Sequence, residues 1–143
     1  MLRSNDESMM NPEFFNKKDK DNLPGSLGIT VLEVGKGRLI AKLDVTRKHM
    51  AINGYLHAGS VISLADSSAG YGCMANLPED ATGFTTIELK SNLFGTATKG
   101  SVRCVASCIH SGRTTQIWEC EVISEGSKKK LAKFSCTQLI LYR

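Results

Sequence analysis

At 143 residues with 41% hydrophobic side chains, the chain has the size of one compact domain, able to bury a core without disulfides, metal or a second domain. Charged residues make up an ordinary 22%, and no apolar run approaches the length that spans a bilayer, which excludes membrane insertion. The net charge of +4 suits an anionic small molecule, but the basic residues are scattered, aromatics are only 6%, and no nucleic-acid-binding pattern combines the two, so nucleic acid is excluded as a partner.

The opening MLRSNDESMM has neither an apolar h-region nor a small-residue cleavage site, so the expected compartment is the cytoplasm. Residues 1–22 are polar and charged, with Asn11-Pro12-Glu13 a helix start ahead of Phe14 and Phe15. They are expected to form an N-terminal arm or short helix, followed by one domain over 23–143. LGITVLEV and RLIAKLDV, divided by Gly35-Lys36-Gly37, predict a β-hairpin whose second strand puts Leu39, Ala41, Leu43 and Val45 on one face.

From about His57 to Leu77 the chain is apolar or small around nearly its whole circumference, which predicts a buried helix stopped by Pro78. Its glycines cost helix propensity but let a sheet approach closely. FTTIELKSNLF, GSVRCVASCIH, RTTQIWECEVI and KKLAKFSCTQLILYR then alternate as strands, read as three hairpin-linked steps. The five cysteines form an odd set without a CxxC pair, and four lie in these strands; they are read as small buried thiols, with no metal role. An antiparallel sheet around one central helix is the α+β layering this order permits, although periodicity alone leaves other α+β topologies open.

Asp66 is the anomaly of the apolar helix. A carboxylate beside Leu64, Ala65 and Ala69 is costly to bury, so it is paired, faces a cleft or does chemistry; the helix alone leaves a structural and a catalytic role equally open. Just upstream, Asn53-Gly54-Tyr55-Leu56-His57-Ala58-Gly59 leads into the helix start, where the N–H groups of Ala58 and Gly59 suit an oxyanion. His57 and Asp66 do not share a helical face, so His57 reads equally as a cap or loop-ordering residue.

HAGSVISLAD, with TTIELKSNLF and TKG after it, resembles the HGGxxxxLAD signature and following strand of the PaaI-like hotdog-fold acyl-CoA thioesterases. The resemblance covers roughly residues 44–142. It implies the hotdog fold and hydrolysis of acyl-CoA without a cofactor. Asp66 is then nucleophile or general base, Ala58 N–H polarises the carbonyl, His57 supports that geometry, and Thr86, or its neighbour Thr85, helps to place water. Two positions depart from the family pattern: Ala58 stands where Gly is frequent, and Ala51 where an Asn or Gln is usual, Asn53 being nearby but out of register.

The family also implies a homodimer or homotetramer with the site at the subunit junction, Asp66 of one copy facing Thr86 of the other. Asn53, Gly59, Thr85 and Arg113 are the substrate-binding candidates, Arg113 for a coenzyme A phosphate, although exposed cations are commonly just solvated. Tyr55, Tyr71, Met74, Phe84 and Phe94 are either acyl-pocket residues or core. The main alternative is a non-catalytic acyl-CoA sensing module on the same fold.

Overall fold

The structure, a computed structural model, describes residues 10–143, so the expectation for the first nine residues lies outside the described part. Asn11 caps helix α1 (Pro12–Lys18) by accepting from Phe14 N–H at 2.9 Å. One short turn of helix, α2 (Leu23–Ser26), follows. The strands are β1 (Ile29–Gly35), β2 (Arg38–Asp44), β3 (Gly83–Leu93), β4 (Ser101–Ser111), β5 (Thr115–Ser124) and β6 (Lys130–Leu141). Their single sheet runs β1-β2-β4-β5-β6-β3, antiparallel throughout, and wraps the long helix α3 (Ala58–Ala75). This is the expected hotdog arrangement. Among the described residues no helix is long and apolar enough to cross a membrane.

The alternation in the sequence becomes the inner face of the sheet. Leu39, Ala41 and Leu43 of β2, Val102, Cys104 and Ala106 of β4, and Trp118, Cys120 and Val122 of β5 are all fully buried against α3. Cys108, at the turn end of β4, is the one half-buried thiol among the five cysteines. α3 is small where it meets the largest side chain: a Cβ on Gly72 would sit 2.6 Å from the Trp118 ring, so glycine is what lets the indole lie flat under the helix.

Two sequence expectations are corrected. β3 and β4 are not a hairpin: β3 pairs with β6 at the far edge of the sheet, while β4 pairs with β2 and β5. The link over 94–100 is too long for a tight turn, and extended it easily crosses the roughly 14 Å of three strand spacings. α3 is also not buried all round. Ser60, Val61, Leu64, Ala65, Ser68, Ala69, Gly72 and Cys73 are buried on the sheet side, whereas Ile62, Asp66, Ser67, Gly70, Tyr71 and Met74 are half-buried on a face the sheet does not cover.

Candidate active site

The N-terminus of α3 is held by groups of the preceding loop and of the loop after β3. His57 N–H donates to His49 O at 2.9 Å, Ser60 Oγ donates to the same carbonyl at 2.8 Å, and Leu56 N–H donates to Thr96 Oγ1 at 2.8 Å. His49 is itself fixed: it is 1% exposed, its Nδ1 accepts from Thr46 N–H at 2.9 Å, and its Nε2 lies 2.6 Å from Leu27 O. The helix start is thus held by the His49 carbonyl, whose own position is set by the buried imidazole.

His57 is the N-cap of α3, and its Nδ1 accepts from Gly59 N–H at 2.7 Å. That bond places the ring proton on Nε2, which faces outward on an exposed side chain. It also consumes the Gly59 amide, so the expectation that Ala58 and Gly59 both offer N–H groups is corrected to Ala58 alone: Ser60 and Val61 N–H turn back to His57 O. The helix dipole adds its positive end at the same place.

Asp66 lies two turns further along α3, at its uncovered face. Its Oδ1 is buried without a hydrogen-bond partner, and no cation among the described residues lies within salt-bridge distance of its carboxylate. Burial pushes its carboxyl above the ordinary 3.8, with no opposing cause. Beneath it are thiols of the sheet. Burial first, and then the charge of Asp66, push the Cys136 thiol up to about 12. Cys120 is raised by a thiol hydrogen bond with Cys104 and by burial, with Asp66 adding in the same sense. These sulfurs remain protonated and form a soft, low-dielectric floor.

Thr86 and Thr85 divide as neighbours on a strand must. Thr86 faces inward and donates its hydroxyl proton to Gln138 Oε1 at 2.6 Å, whereas Thr85 is exposed on the other face. Asn53 Oδ1 accepts from Tyr55 N–H at 3.1 Å, closing the exposed turn that leads to α3. Arg113 sits at the opposite end of the helix: it pairs with Asp80 at 3.6 Å and lies 4.7 Å over the Tyr142 ring, both beyond the C-terminus of α3. Within one chain, therefore, His57 and Ala58 come together, Asp66 stands apart from them, Thr86 is bound to Gln138, and Arg113 is remote.

Of the five apolar candidates, Tyr71 and Met74 line a cavity of about 390 Å³ with Phe14, Phe15, Lys18, Asp19 and Asn22, between α1 and the uncovered face of α3. Tyr71 is fixed there by its hydroxyl, which donates to Asp19 Oδ2 at 2.8 Å, and by stacking on Phe15 at 4.7 Å. Phe84 packs over Gly70, and Tyr55 and Phe94 are exposed. Sequence reasoning missed His49 and Gln138. A histidine in a polar loop carries no local signal, but Gln138 stood at an inward position between Cys136 and Ile140, where a polar residue is itself anomalous.

The family model described as the thioesterase superfamily matches residues 53–130, from the loop before α3 to the start of β6. The 1,4-dihydroxy-2-naphthoyl-CoA hydrolase of Listeria monocytogenes is 33% identical over 115 residues, 80% of this chain and 92% of that protein. Among solved structures, a thioesterase of Haemophilus influenzae superposes with a TM-score of 0.85 at 22% identity, covering 92% of this chain and 90% of that one. The PaaI protein of the phenylacetic acid degradation operon of Escherichia coli does so with a TM-score of 0.82 at 18% identity, covering 94% of each.

Proposed function

This chain belongs to the thioesterase superfamily and is a thioester hydrolase, and on that premise we propose that it hydrolyses an aromatic acyl-CoA at a site built by two copies of the chain. The observation that carries the reading is Asp66: a buried, unpaired carboxylate oxygen, raised in pKa by desolvation alone, on the uncovered face of an otherwise apolar helix. A carboxylate so placed is a stronger base than an exposed one. Asp66 takes a proton from water as the water oxygen attacks the thioester carbonyl. Ala58 N–H, reinforced by the helix dipole, holds the developing oxyanion, and the thiolate of coenzyme A leaves. A thioester lacks amide resonance, so these groups suffice.

The spacing along α3 favours a second copy. Eight residues of α3 separate Ala58 from Asp66, an axial distance of about 12 Å. An amide bound to a carbonyl oxygen lies at most roughly 7 Å from the water oxygen that attacks its carbon, and so roughly 10 Å from the base holding that water. The longer spacing supports a site in which one chain supplies Asp66 and its partner supplies Ala58 and His57. Two surfaces favour such a pairing: the half-buried face of α3, and the edge strand β3, which carries exposed Ile87, Leu89 and Leu93. Apolar side chains exposed on an edge strand favour a partner.

The aromatic acyl class is supported by the named activity of the Listeria relative and by the cavity of Phe14, Phe15, Tyr71 and Met74 beside the face of α3 that bears Asp66. The test is free-thiol release from aryl, short, medium and long acyl-CoAs. Aromatic thioesters are expected to give the highest kcat/KM; a preference for long aliphatic chains would overturn the substrate class. Because Asp66 works ionised and its carboxyl is raised, kcat is expected to begin falling with decreasing pH above the 3.8 of an ordinary aspartate. A rate flat down to that pH would contradict a raised base.

A further inference from the structure

Among the described residues, two buried side-chain nitrogen or oxygen atoms have no hydrogen-bond partner, Oδ1 of Asp66 and Nε2 of Gln138. One is an acceptor and the other a donor. Gln138 is fully buried on β6 and bonded to Thr86 of β3, and two residues before Thr86 on the same face Phe84 packs over Gly70, one turn of α3 from Asp66. The two unspent atoms therefore belong to the same region of the helix–sheet interface.

The contrast with the neighbouring strand is informative. Gln116, the register partner of Gln138 on β5, is equally buried, but its Oε1 accepts from Trp118 Nε1–H at 2.8 Å and its Nε2 donates to Asn76 O at 2.8 Å. It ties the C-terminal cap of α3 to the sheet and has nothing left to offer. Gln138 has one end engaged: Thr86 donates to its Oε1 at 2.6 Å, which orients the amide so that Nε2 is the free end. A buried amide with an uncommitted donor weakens the fold unless it binds something.

We propose that Gln138 holds the hydrolytic water, an assignment that rests on Asp66 acting as general base. The water donates one hydrogen to Asp66 and accepts one hydrogen bond from Gln138 Nε2, which leaves its other lone pair for the carbonyl carbon. As that C–O bond forms, the proton passes to Asp66. The C–S bond then breaks, its electron pair leaves on sulfur, and the proton on Asp66 passes to the thiolate. Thr86 is a positioning residue that acts through Gln138: its only hydroxyl proton is already given to Oε1, so it sets the amide's direction and cannot donate to the water. One chain thus brings base, water and water-binding amide together, in place of the pairing of Asp66 with the partner's Thr86 that the family resemblance implies, and the partner brings the oxyanion donor.

The experiment compares water with hydroxylamine as acyl acceptor in wild type, Gln138→Met and Thr86→Val, scoring acid, hydroxamate and released thiol after subtracting the uncatalysed reaction. Gln138→Met is expected to lower kcat for acid formation about 10–100-fold with KM within about twofold, and to raise the hydroxamate-to-acid ratio at least about fivefold. Thr86→Val is expected to shift the ratio the same way by less. Misfolded chains make neither product, so the ratio does not depend on the folded fraction. An unchanged ratio in both variants, whether or not the rate falls, overturns the assignment. Full hydrolysis by an Asp66→Asn control would instead remove the general base on which it rests, whatever the Gln138 variants do.

Discussion

Asp66→Asn is expected to lower kcat about 10³-fold or more while raising the melting temperature at pH 7. Both effects come from one cause. The Asp66 carboxyl is raised by desolvation, so the folded chain binds that proton more tightly than the unfolded chain does. Ionised Asp66 therefore costs stability above the unfolded value near 3.8, and the cost is absent at pH below it, where both states are protonated. Asn keeps the shape and removes the charge. Its advantage in thermal denaturation should be present at neutral pH and vanish in acid, whereas the loss of thiol release should persist at every pH where the wild type is active. A variant that loses activity and also loses stability at pH 7 would point to a structural carboxylate.

Ala58→Pro is expected to cost about 10²–10³-fold in kcat with the fold retained. Proline at the first helical position removes one N–H and nothing else, because that amide has no acceptor within the helix. The preceding residue already suits it: His57 lies at φ −63°, ψ 134°, the extended region that a following proline demands. Ala58 is exposed, so no packing is disturbed. Circular dichroism and melting temperature should match the wild type while hydrolysis falls. A fully active Ala58→Pro enzyme would move the oxyanion donor elsewhere.

The sequence carried the architecture in its periodicities. The alternation read in RTTQIWECEVI turns Gln116, Trp118, Cys120 and Val122 inward, and the run after His57 is the central helix. Periodicity reports which face a residue takes, not which strand lies beside it, so the placement of β3 next to β6 was not legible, although the seven-residue link over 94–100 argued against a hairpin. Asp66 was visible because a single charge in an apolar run is expensive. The commitment of the Gly59 amide to His57 depends on a ring orientation that no spacing encodes. The remoteness of Arg113 was hidden for a related reason: a turn between two strands carries no mark of which end of the helix it will meet, and this one meets Asp80 beyond the C-terminus of α3.

The most direct test of a site shared between chains mixes Asp66→Asn with Ala58→Pro, each inactive alone, under conditions that exchange subunits. A hybrid dimer contains one site with both defects and one with neither, so random exchange is predicted to restore about one quarter of wild-type activity. If base and oxyanion donor came from the same chain, each hybrid site would keep one defect, and activity no higher than the sum of the two parents would contradict the account.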